Sequence, residues 1–174
     1  MRTTPGRLLA SLALTLLLTA RAIAQTESPS AAEPQLNEVR ASAVSGDLNS
    51  IHALCYRYKY GREAKQDYTE AMHWCALAAE RGADSSQVLL AEMYYNGQGV
   101  EKDPVQAVRW YLKAADQGHP HALLMLYFIY YKGVGVEANQ ELALAYLQQA
   151  AALDYKVAID ELARINAERA GTVQ

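Results

Sequence analysis

A displacement of 36 residues lays this sequence on top of itself. Gly46, Gly82, Gly118 and Asp154 fall in one column, Leu54, Leu90, Leu126 and Leu162 in another, and Tyr58, Tyr94 and Tyr130 in a third. Gly61, Gly97 and Gly133 keep the same phase, as do Asp67, Asp103 and Asn139, then Ala71, Ala107 and Ala143, then Trp74, Trp110 and Tyr146, then Ala78, Ala114 and Ala150. Repetition at such a period restricts the chain to a stack of like units, each stable only against its neighbours.

One unit can be read from its residues. Leu89, Leu90, Met93 and Tyr94 recur at helical spacing and give a first helix its apolar stripe. Gly97 and Gly99 stop that helix, because glycine accepts the positive φ of a helix exit. Asp103 and Pro104 start a second: the carboxylate accepts from orphan backbone donors, and proline is pre-shaped for the first helical position. Ala107, Trp110, Tyr111, Ala114 and Ala115 stripe this helix and Gly118 ends it. Small alanines beside large rings predict close helix packing, with the rings filling the space between successive units.

The run from Leu90 through Tyr94, Gly97, Gly99-Val100, Asp103, Ala107, Trp110-Tyr111 and Ala114-Ala115 to Gly118 resembles the Sel-one-like repeat, a relative of the tetratricopeptide repeat. The third unit, with Leu126, Tyr130, Gly133-Val-Gly135-Val136 and Ala150-Ala151, fits well. The first departs from the pattern, carrying Glu63 and Ala64 for the second glycine and valine, and Cys55 and Cys75 where the second unit has the small Ala91 and the aromatic Tyr111. The resemblance implies an all-α fold, a right-handed α/α solenoid of antiparallel helix pairs, and a scaffold that binds other proteins.

The expected organisation is a signal peptide over 1–24, a disordered linker over 25–34, an N-terminal capping helix over 35–46, repeats over 47–82, 83–118 and 119–154, a C-terminal capping helix over 155–170 and a tail over 171–174. Arg2 and Arg7 precede an apolar run from Leu8 to Leu18, and Ala22-Ile23-Ala24 offers small residues for cleavage before Gln25. That run is shorter than the roughly 20 residues a spanning helix needs. It therefore predicts export to the periplasm or beyond, with no stable membrane insertion after cleavage. Without Arg2, Arg7 and Arg21 the basic residues fall to 13 against 19 acidic, a formal charge of −6. Such a balance disfavours nucleic acid and anionic membranes as partners, because both require a basic face.

Two cysteines in an exported chain favour a Cys55–Cys75 disulfide across the two helices of the first unit. Two buried thiols are the plainer alternative. A metal site with His52 and His73 is a third, against which His73 and Cys75 point to opposite sides of one helix. His119 and His121 read as an exposed helix start, or as a pH-sensitive partner contact.

No serine-x-x-lysine, Gly-x-Ser-x-Gly, His-Glu-x-x-His or phosphate-cradling loop occurs past residue 24, so neither an enzyme nor a cofactor is expected. Some secreted cysteine-rich proteins that share this repeat class are associated with β-lactam binding, which keeps a cell-wall-directed enzyme or binder as the alternative. In a tetratricopeptide-like superhelix the first helix of each unit lines the concave face. The groove columns would then hold His52, Tyr56, Lys59 and Tyr60, next Val88, Glu92, Tyr95 and Asn96, and last Leu124, Phe128, Tyr131 and Lys132. Twelve tyrosines against one phenylalanine suit a half-wet contact, since the ring is rigid and its tip forms hydrogen bonds. The expected partner-binding residues are Tyr56, Tyr60, Glu92, Tyr95, Phe128, Tyr131 and Lys132. They would take a peptide or protein, on a chain that is a monomer or weak dimer.

Overall fold

The computed structural model describes residues 32–171, which hold eight helices and no strand. In chain order they are α1 (Ala32–Val44), α2 (Leu48–Tyr60), α3 (Tyr68–Glu80), α4 (Asp84–Asn96), α5 (Pro104–Asp116), α6 (Pro120–Lys132), α7 (Gln140–Ala152) and α8 (Lys156–Gly171). The leader expected over 1–24 lies outside the described residues. Helix α1 begins at Ala32, within the stretch expected as linker: alanine and glutamate favour helix, and a proline two residues in costs little where no backbone donor is needed.

Helices α2 and α3, α4 and α5, and α6 and α7 form three pairs, with α1 and α8 packed on the two ends. Each pair is built by the same local devices. Asp67 Oδ1 accepts from the backbone N–H of Thr69 and Glu70, Asp103 Oδ1 from Gln106, and Asn139 Oδ1 from Leu142, so each second helix has its first orphan donors satisfied. The same three residues close the preceding turn, their N–H groups donating to the carbonyls of Tyr58, Tyr94 and Tyr130 at 2.8–3.0 Å. The tyrosine and aspartate columns are thus joined by a backbone bond in every unit.

Gly99 and Gly135 are required by space as well as by φ. A Cβ on Gly99 would sit 2.3 Å from the carbonyl oxygen of Tyr68, and one on Gly135 would sit 2.7 Å from Cβ of Pro104. Each turn therefore presses onto the first residue of the preceding unit's second helix. Glu63 stands in this column in the first unit and still adopts the left-handed backbone, with φ 58°. Its carboxylate pairs with Arg57 at 2.7 Å.

The core is a chain of three overlapping clusters along the stack. Leu54, Leu90 and Leu126 are fully buried, as are the alanine columns at 71, 107 and 143 and at 78, 114 and 150. Tyr94 and Trp110 pack against both the first and second clusters, and Tyr130 and Tyr146 against both the second and third. The rings thus straddle the boundaries between units, as the alanine and aromatic pattern predicts. Each buried leucine contributes on the order of 2 kcal/mol through area removed from water.

Cys55 and Cys75 are bridged, joining α2 to α3 with Cα atoms 4.7 Å apart. Both sulfurs are consumed by this bond, so neither ligates a metal. Among the described residues no cluster of three histidine, cysteine or acidic groups is arranged to hold an ion.

Candidate interaction groove

Successive first helices are stitched by side chains just under one period apart. His52 Nδ1 meets Ser86 Oγ at 2.7 Å, His121 Nδ1 meets the Tyr155 hydroxyl at 3.2 Å, and the Tyr127 hydroxyl donates to Glu161 at 2.8 Å. The most consequential stitch joins Lys59, at the end of α2, to Glu92 in the middle of α4. Lys59 is only 3% exposed and Glu92 is partly buried. The Lys59 ammonium also donates to the Tyr60 hydroxyl at 3.0 Å, and the other Glu92 oxygen faces His121 Nε2 at 3.4 Å. Burial raises the Glu92 carboxyl, but hydrogen bonds from His121 and Lys59, and their charges, outweigh that and hold it below its ordinary value.

Around this polar floor stand tyrosine rings. Tyr56 and Tyr60 are 43% and 44% exposed with ring centres 4.7 Å apart. Lys102 lies over the partly buried ring of Tyr95, at 5.6 Å. Beneath them the hydroxyl of Tyr111 is fully buried without a hydrogen-bond partner, and burial together with the Glu92 charge pushes its pKa up. A second aromatic group lies on α6, where Tyr127 touches both Phe128 and Tyr131, at 4.8 and 5.8 Å between centres. Tyr131 is 51% exposed and Lys132 is exposed beside it. Burial and the bond to Glu161 push the Tyr127 hydroxyl up to about 12.

The seven expected contact residues therefore fall into two groups on one run of helices. Tyr56, Tyr60, Glu92 and Tyr95 surround the junction of α2 and α4; Phe128, Tyr131 and Lys132 lie on α6. Glu92 is not a free carboxylate awaiting a partner, because the Lys59 ammonium already occupies one of its oxygens. Sequence columns alone placed Lys59 among the groove residues and did not reveal this pairing. The signal that would have shown it is an opposite charge 33 residues on, slightly less than one repeat. His119 is likewise half-buried rather than an exposed helix start, its Nδ1 lacking a partner, and burial lowers its pKa.

Sel1 repeat models match residues 49–82, 84–119 and 121–155, more than half of the sequence. The chain belongs to the Sel1 repeat family. A Sel1 repeat protein from Oxalobacter formigenes is 36% identical, with a TM-score of 0.67 over 75% of this chain and 98% of its own. The c5321 protective antigen of uropathogenic Escherichia coli, which displays an SLR fold, is 37% identical with a TM-score of 0.65; the match covers 68% of this chain and 25% of c5321. Helicobacter pylori cysteine rich protein B shares the fold at 21% identity, with a TM-score of 0.57 over 72% of this chain and 95% of its own. The comparison with curated proteins finds no match. Sel1 repeat proteins generally mediate protein–protein interactions and typically act as non-catalytic scaffolds. No helix among the described residues is long and apolar enough to cross a membrane, and the disulfide is consistent with an oxidising compartment outside the cytoplasm.

Proposed function

We propose that this Sel1 repeat protein is a non-catalytic scaffold of the bacterial periplasm or exterior, exported with cleavage after Ala24. It captures a peptide or protein partner along the face formed by α2, α4 and α6, as an adaptor or as an inhibitor or immunity-type binder. The observation that carries this reading is the contrast within single helices. Tyr58 is buried in the repeat core, whereas Tyr56 and Tyr60 on either side of it stay more than 40% exposed above a buried ion pair. A rigid polar floor under half-exposed rings suits recognition, since tyrosine presents large area at little entropic cost and rings of this kind dominate interface energies. Tyr95, Phe128, Tyr131 and Lys132 continue the surface.

The test is capture from envelope extract by residues 25–174, set beside the Tyr56→Ala/Tyr60→Ala variant. A specific protein lost with the variant, while melting stays within a few degrees, supports the reading. Equal capture by both proteins, or retention on purified peptidoglycan with no protein partner, overturns it.

A further inference from the structure

A cavity of about 340 Å³ opens between α6, α7 and α8, lined by Tyr127, Tyr131, Gln140, Leu144, Arg164 and Ile165. Its origin can be traced through the repeat. In the inner units the glycine turn of the following unit presses on the first residue of each second helix: Gly99 on Tyr68 of α3, and Gly135 on Pro104 of α5. The residue after the second glycine then fills the space behind, as Val136 does by packing on the cluster that holds Ala107, Val108 and Tyr111. In the last unit Arg169 stands 36 residues after Gly133, in the glycine column. With no glycine there to leave the helix, α8 continues to Gly171 and reaches 16 residues where α2 to α7 have 13. No described turn therefore covers α7. Gln140 is exposed where Tyr68 and Pro104 are half-covered, and Leu144, one repeat on from Val108, lines an open space.

We propose that this cavity is a docking site for a glycine-flanked aliphatic residue of the partner polypeptide, which takes the place that Val136 occupies one unit earlier. The protein already makes such a contact within itself: the glycine turn seats on a second helix twice, and Val136 packs behind it in the second case. Leu144 and Ile165 give the cavity an apolar strip beside the rings of Tyr127 and Tyr131, while Gln140, Arg164, Glu168 and Arg169 complete its lining. Arg164 is held by Glu161 and Glu168 at 2.5–2.9 Å and Arg169 lies beside them, so two cations face two carboxylates and the charges there balance. An uncharged aliphatic group suits such a site better than an acid or a base. This inference rests on the proposed reading of the face as a polypeptide-binding surface and gives that surface an anchor at its α8 end.

The test is an NMR titration of residues 25–174 with the acetylated, amidated peptide Gly-Val-Gly-Val-Glu, the sequence of residues 133–137. The expected result is saturable shifts at Tyr131, Leu144 and Ile165, and at least tenfold weaker binding when aspartate replaces the second valine. Leu144→Glu should abolish the shifts; because Leu144 is half-buried, Gln140→Trp on the exposed first turn serves as a second block that leaves the core alone. Absence of shifts at these three residues overturns the inference. So do contacts from the Val173 methyls to Leu144 in the free protein, which would make the chain's own tail the occupant, or concentration-dependent shifts at these residues without peptide, which would make it a second copy. Shifts confined to Tyr56 and Tyr60 would overturn the anchor while leaving the proposed function standing.

Discussion

Lys59 and Glu92 form an ion pair across the boundary between the first two repeats, with the ammonium almost wholly withdrawn from water. Their positions make the pair asymmetric. Glu92 retains some solvent exposure and has His121 as a second neighbour, whereas Lys59, among the described residues, has Glu92 and the Tyr60 hydroxyl within hydrogen-bond distance. Glu92→Ala should therefore cost about 3 kcal/mol, since it strands a buried ammonium, and Lys59→Met appreciably less. The Lys59→Met/Glu92→Leu double variant should recover much of the loss. Urea denaturation of the four proteins checks the order, and a larger loss for Lys59→Met than for Glu92→Ala would contradict it.

Stability should fall on mild acidification. Burial lowers the pKa of His52 and of His119, each opposed by the charge of Asp84. The folded state thus prefers both imidazoles neutral. Their contribution is complete above the unfolded value near 6.5 and is lost as pH drops through the lower folded value. Glu92, also lowered, holds its contribution down to the ordinary glutamate range and loses it below. A urea midpoint that is flat from pH 8 to 7 and declines below 6.5 is expected. His119→Ala, which places the residue of the Ala83 column at 119, should reduce the slope below 6.5.

Reduction of the Cys55–Cys75 bridge should cost about 3 kcal/mol, the value expected for a closed loop of some 20 residues. The columns also suggest a replacement. Ala91 and Tyr111 stand 36 residues on from the two cysteines, and both are fully buried. Cys55→Ala/Cys75→Tyr should therefore retain more stability than Cys55→Ala/Cys75→Ala, which leaves a void. Thermal melting of both variants, beside the reduced protein, decides this.

Glycines of one repeat column and another should respond differently to alanine. Gly118 has φ +79° but nothing within 4 Å of an added Cβ, so Gly118→Ala should cost about 1 kcal/mol from the backbone alone. Gly99→Ala adds a collision with the Tyr68 carbonyl and should cost at least about 3 kcal/mol. Comparable losses at both positions would show that the turn does not press on α3 as described.

Much of the architecture was legible because the repeat is periodic. Local devices recur with the period: the Asp103 cap, the Gly97 exit and the alanine stripe are each set by neighbours a few residues away, and their phase predicts helix pairs before any packing is known. The bridge between Cys55 and Cys75 was legible as a preference among three readings, and it took the 4.7 Å Cα approach to select among them. The candidate groove was legible only as columns. Tyr56, Tyr60 and Tyr131 lie on the water-facing side, as their distance from the core stripe suggests, but Tyr95 and Phe128 are half-covered by Lys102 and Tyr127.

The sequence by itself determined the unit, its two helices, their caps and the stack they must form, because hydrophobic period, capping and glycine exits act over short stretches of chain. Tertiary structure alone decided which groove residues are free. Whether Glu92 faces a partner or faces Lys59 depends on the offset between successive first helices, and that offset is a matter of packing between units, where α4 lies against both α2 and α3. It also decided that the described residues leave a cavity in the last unit: α8 runs on to Gly171 where the earlier first helices end thirteen residues long, and that difference matters only once α6, α7 and α8 are packed together.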